Sequence, residues 1–197
     1  MSEAKLFRHK IATRNPIVVV HLNVRSQPLQ RGEFFEDPLD ELLAEEGMGS
    51  VVGGGTELAD EPAGLSSCSI EISVTDADPD TIQTIIVLLE KLGAPKGSEM
   101  RIEGEAPIPF GVTEGLALFL NRTDVPGEVY ESSAVNATLS GLSDAMIGKG
   151  ILLGYWEGSR ETALYFYGTS FDAMKEAALA YTVRDPLCRQ CRFEQIA

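Results

Sequence analysis

Between Arg31 and Lys91 the sequence has no lysine and no arginine. Residues 32–90 hold fifteen of the thirty acidic residues, a block of net charge −15, while the remainder is close to neutral. Nucleic-acid affinity comes chiefly from neutralising phosphates, and such a block repels them. Direct nucleic-acid binding is therefore excluded for this half. The block fits a solubilising surface, or an electrostatic face for a basic protein partner or a cation.

Long apolar runs are missing as well. No stretch approaches the roughly 18–20 apolar residues of a membrane-spanning helix. Lys5, Arg8, Lys10 and Arg14 near the start are not followed by an apolar segment, so no secretory signal and no membrane association are expected. The expected location is cytoplasmic. Cysteine is scarce and odd in number, with only Cys68, Cys188 and Cys191. That count argues against a disulfide framework and fits a reducing compartment. Cys188 and Cys191 have C-x-x-C spacing, but a zinc site needs two further ligands, and the only histidines, His9 and His21, are remote in sequence. A redox pair normally opens a helix after a strand, whereas this pair leads into the last predicted strand. No metal and no cofactor are expected.

Catalytic signatures are also lacking, with no G-x-S-x-G and no H-E-x-x-H. Asp76, Asp78 and Asp80 alternate like the start of a calcium loop, but Thr81 and Val87 stand where glycine and glutamate are needed. Asp78-Pro79 reads better as a helix cap, with acids favoured by the helix dipole.

What is present reads as alternating strands and helices. Ile17–Val24 is short and β-branched, which predicts a strand. Residues 25–35 read as a polar loop. Asp37-Pro38 then opens a helix with a Leu39, Leu42, Leu43 stripe that Gly47 stops. A glycine-rich strand follows around Gly53, and Cys68, Ile70, Ile72 and Val74 alternate on the buried face of another. A helix on Ile82, Ile85, Ile86 and Leu89 and a strand near Arg101 complete the order β-α-β-β-α-β, the ferredoxin-like split unit.

The order then repeats. Leu116–Asn121, a helix capped by Ser132 or Ser133 with Val135 and Leu139 inward, Gly150–Trp156, Thr162–Tyr167, a helix capped by Ser170, and Arg192–Ile196 make a second set. Gly53 and Gly154 correspond at an offset of 101, and Arg101-Ile102-Glu103 matches Arg192-Phe193-Glu194. The expected fold is α+β, two tandem ferredoxin-like βαββαβ units produced by internal duplication, with antiparallel sheets and helices on one face. Residues 1–15 form an arm, 16–104 the acidic first unit, 105–114 a linker and 115–197 the second unit. Each sheet then has an open face that must be buried, partnered or kept polar.

Three groups of residues are candidates for function. Gly53, Gly54 and Gly55 cost strand stability, so a bend, a close approach of a neighbour, or a ligand on bare backbone must offset them. With Thr56, His21, Asn23 and Lys96 they form the candidate ligand site, although a half-buried His21 inside an apolar strand also fits a purely structural role. Tyr155, Trp156, Tyr165 and Tyr167 form an aromatic cluster without interleaved basic residues, which excludes an RNA-stacking platform and suggests a protein or domain interface. The expected function is a non-enzymatic binding or regulatory module for a basic protein or a small ligand, with a homo-oligomer through an open sheet face as an option. The alternative is a small-molecule enzyme in the cleft between the units, using His21, Asn23, Thr56, Glu57 and Lys96.

Overall fold

The computed structural model describes residues 15–123 and 132–197, with side chains from Asn136 onward in the second stretch. The arm before residue 15, the Ser132 or Ser133 cap and the inward Val135 lie outside the described residues. β1 (Ile17–Leu22) is followed by α1 (Pro28–Arg31), a π-helical turn (Gly32–Glu36) and α2 (Asp37–Glu45). Next come β2 (Gly49–Leu58), β3 (Leu65–Val74), α3 (Pro79–Lys91), β4 (Ser98–Ile102) and β5 (Ile108–Phe110). The second half holds β6 (Glu114–Asn121), α4 (Ser132–Ala145), β7 (Gly150–Glu157), β8 (Glu161–Gly168), α5 (Phe171–Thr182) and β9 (Arg192–Gln195).

The first sheet has the order β2-β3-β1-β4-β5 and the second the order β7-β8-β6-β9, every pairing antiparallel. Both are ferredoxin-like. They even share an irregularity: the register slips between Val51 and Gly53 in β2, and between Leu152 and Gly154 in β7. Of the stretch read as a linker, Ile108–Phe110 pairs with β4 and widens the first sheet by one strand.

The stretch 25–35 is not a loop. Pro28 occupies the first turn of α1, where its missing N–H costs nothing. The helix continues through Phe35, Leu39 and Leu43, all fully buried at four-residue spacing. Asp37-Pro38 therefore sits inside the helix rather than capping it. Pro38 cannot donate to the preceding turn, and the wider π turn over Gly32–Glu36 lies directly before it. α3 begins as expected, with Asp78 accepting from the N–H groups of Asp80 and Thr81.

In the first unit, Val18, Val20, Leu22, Ile70, Ile72, Val74 and Met100 pack beneath the helices. The opposite face carries two cross-strand rows, Gly53–Glu71–Val19–Arg101 and Gly55–Ser69–His21–Glu99. That face stays open and polar. The second sheet is covered on both sides. Leu116, Leu118, Leu164 and Phe166 face α4 and α5, while Ala117, Phe119, Ala163, Tyr165 and Tyr167 join the core of the first unit.

The candidate site between the units

The junction is built from the β1–α1 connection and the β2–β3 hairpin of the first unit, laid on the face of the second sheet that its own helices leave free. The Arg25 N–H donates to the Tyr167 hydroxyl at 2.8 Å, and the Arg25 guanidinium stands 5.5 Å from the centroid of the Tyr165 ring. The Tyr165 hydroxyl donates to the Ala63 carbonyl on the hairpin. Burial pushes both phenols up from their ordinary range. Gly154 is required here, because a Cβ on it would come within 2.2 Å of the Arg25 carbonyl. Gly64, at φ +66°, lets the Trp156 indole lie flat on its backbone. Of the four aromatics expected at an interface, Tyr165 and Tyr167 are buried in this junction and Trp156 stands at its edge. Tyr155 is partly exposed, and its carbonyl accepts from Gln27 Nε2 at 3.1 Å.

The glycine run proves to be divided. Gly54 faces the helices, where its missing side chain leaves room for an ion pair. Arg31 Nε meets Glu36 Oε1 at 2.8 Å, and Arg31 Nη1 donates to Thr56 Oγ1 at 2.7 Å. A Cβ on Gly54 would stand 2.1 Å from that carboxylate and 2.8 Å from the Ser69 carbonyl. Close approach of neighbouring side chains thus accounts for Gly54 and occupies Thr56. Gly53 and Gly55 lie instead on the open sheet face, beside Glu71 and Ser69.

The other polar candidates do not converge on one pocket. His21 stands on the same open face between Ser69 and Glu99. Asn23 Nδ2 donates to the carbonyls of Lys96 and Ile196, fastening the C-terminal strand to the first unit. Lys96 Nζ bonds Glu114 Oε1 at 2.8 Å, while Glu114 Oε2 takes the Phe171 N–H at the start of α5. The Lys96 ammonium and that N–H hold the Glu114 carboxyl below the usual carboxylate range. Glu57 accepts from the Ser67 hydroxyl.

A cavity lies elsewhere, between α4 and the helix-facing side of the second sheet, and its volume is about 510 Å³. Leu120, Leu139, Leu152, Leu164 and Leu187 form its walls. Polar groups enter from Arg122, Asn136, Thr138, Glu157 and Thr162, and Gln30 reaches in from α1 of the first unit. The Thr138 hydroxyl donates to Asp185 Oδ2 at 2.6 Å, and the same oxygen accepts the Tyr181 hydroxyl at 2.8 Å. Burial pushes the Asp185 carboxyl up, but hydrogen bonds from Thr138, Tyr181 and the Leu187 N–H outweigh it and hold it low. Burial and the Asp185 acceptor in turn push the Tyr181 phenol up to about 12. This cluster locks α4, α5 and the turn bearing Leu187 around the cavity. A wider groove of about 670 Å³ runs between α4 and α5, but short alanine side chains (Ala137, Ala145, Ala177 and Ala180) line it and it opens broadly to solvent.

No protein-family model and no curated protein matches the chain. Solved structures similar to it include the regulatory subunit of aspartate kinase from Thermus thermophilus, at 10% identity and TM-score 0.29, covering 86% of this chain and 94% of that one. The regulatory subunit of aspartate kinase from Thermus flavus aligns at 12% identity and TM-score 0.28, covering 85% and 93%. An unknown protein from Galdieria sulphuraria aligns at 10% identity and TM-score 0.30, covering 92% and 97%. With identities and scores this low, the reading of the site rests on the chain's own geometry.

Of the cavity's wall residues, the sequence singled out only Tyr155, as part of an aromatic interface, and Gly154, as the counterpart of Gly53. The five leucines carry only the ordinary signal of core positions, and Gln30 falls in the stretch read as loop. The register slip at Gly154, visible in sequence as a match to Gly53, was the one hint that β7 is special.

Proposed function

We propose that the chain is a non-catalytic binding module that holds a small, mostly apolar molecule in the cavity beneath α4. The observation that carries this reading is the cavity itself. Its volume and five leucine walls, with six polar side chains around them, match the general character of small-molecule sites, which run from roughly 300 to 1,000 Å³. Among the described wall residues there is no histidine, cysteine, lysine or serine; the hydroxyls are those of Thr138, which donates to Asp185, and Thr162, both weak nucleophiles with no histidine or lysine base beside them. That favours binding over turnover.

The test uses the dye 8-anilino-1-naphthalenesulfonate, whose emission rises on transfer to an apolar site. Saturable binding of one dye per chain is expected. Leu152→Trp, which fills the cavity from a half-buried wall position, should weaken it by roughly tenfold or more with little change in thermal midpoint. Equal dye binding by the wild type and a folded Leu152→Trp variant would remove the cavity from consideration.

A second reading, a face for a basic protein partner, is favoured by the state of the acidic block. Among the described residues, Glu36 alone of the acids in 32–90 forms an ion pair. The other carboxylates, several of which accept hydrogen bonds from hydroxyls or backbone N–H groups, have no cationic partner among the described residues and keep a negative face for mobile cations or a partner. A lysine-rich peptide should be retained at about 20 mM salt and released near 300 mM, where the Debye length shrinks to a few ångströms. No retention at low salt would dispose of this reading. Self-association through an open sheet face is confined to the first sheet's polar side, since the second sheet's corresponding face is already covered.

A further inference from the structure

Among the described residues, Gln30 is the one cavity wall residue contributed by the first unit, and its Oε1 is sealed from solvent with no hydrogen-bond partner there. A buried carbonyl left unpaired is unfavourable, and native chains rarely keep one without a reason. The amide nitrogen of neighbouring Gln27 is already committed to the Tyr155 carbonyl. The remaining polar groups that wall the cavity are partly engaged too. Arg122 Nη1 donates to the Gly158 carbonyl at 3.2 Å, and the Thr138 hydroxyl donates to Asp185. The terminal torsion of a glutamine side chain has no sharp preference. Turning the amide about that torsion is what would bring Oε1 to face a molecule lying among the leucines.

Building on the cavity reading above, we infer that the ligand is a flat or compact apolar molecule bearing a hydrogen-bond donor, an N–H or O–H, that Gln30 accepts. The leucines select the apolar body and the Gln30 carbonyl selects the donor. The contact has a geometric consequence. Gln30 belongs to α1, whereas Leu120, Leu152 and Leu164 belong to the second sheet, so a bound molecule ties the first unit to the second.

Indole and benzofuran test this, because they share a shape and differ in the N–H. Each is used to displace 8-anilino-1-naphthalenesulfonate from the full chain. Indole should displace the dye at a concentration roughly tenfold below that of benzofuran, since the analogue without the donor leaves the carbonyl unpaired. In Gln30→Leu, a substitution at a half-buried helix position, the two should displace the dye equally. Equal displacement from the wild type, or a preference for indole that survives Gln30→Leu, overturns the assignment. Failure of the dye to respond to Leu152→Trp would instead defeat the cavity reading itself, so the two failures are distinct.

Discussion

Tyr165→Ala is expected to destabilise the chain by about 3–5 kcal/mol, the usual cost of emptying a large buried aromatic position. Tyr165 is fully buried and among the largest side chains in that state. Its ring lies under Arg25, and its hydroxyl ties the second sheet to the β2–β3 hairpin through Ala63. Total stabilities of single domains are roughly 5–15 kcal/mol, so the variant forfeits a large share. Tyr165→Phe keeps the ring and loses one hydrogen bond, which should cost about 1 kcal/mol. Urea unfolding of the three proteins measures both differences. A loss below about 1 kcal/mol for the alanine variant would mean that the second sheet is not packed against the first unit.

Arg31→Ala is expected to cost about 3 kcal/mol, at the lower end of what breaking a buried ion pair costs. Arg31 is 8% exposed and the Glu36 side chain 19%, so removing the cation leaves a mostly shielded carboxylate lying on the Gly54 backbone. The lower end applies because Glu36 keeps some contact with water. Thr56 also loses its donor. Replacing both partners, Arg31→Met with Glu36→Leu, should recover most of the loss, because neither charge is then left without a counterpart. Unfolding free energies for the single and double variants decide it. A double variant as unstable as Arg31→Ala would show that packing around Gly54, rather than charge, sets the penalty.

Elements with strong local signals could be read from the sequence. The alternation of Cys68, Ile70, Ile72 and Val74 placed β3, Asp78-Pro79 placed α3, and Ser170 placed α5, whose N–H at Ala173 it caps. The order of strands followed from those elements, because the split βαβ unit has few ways to pair. The helix at Pro28 was hidden because Gln27 is a poor cap and Asp37-Pro38 imitates a start. β5 was hidden because three residues with a central proline carry little strand signal. The candidate site was the least legible. Gly54 answers to Arg31, and Gln30 to Leu152, across distances in the chain that periodicity does not span. A cavity is a lack of atoms among core residues, and each of its leucines looks the same as one that packs tightly.

The position of Trp156 has a practical consequence. It is the sole indole of the chain, it rests on Gly64 across the seam between the halves, and its Nε1 is shielded without a partner among the described residues. Parting of the halves hydrates that N–H and shifts the emission to longer wavelength. The protein thus carries a built-in optical reporter of whether its two halves are closed, readable without any label.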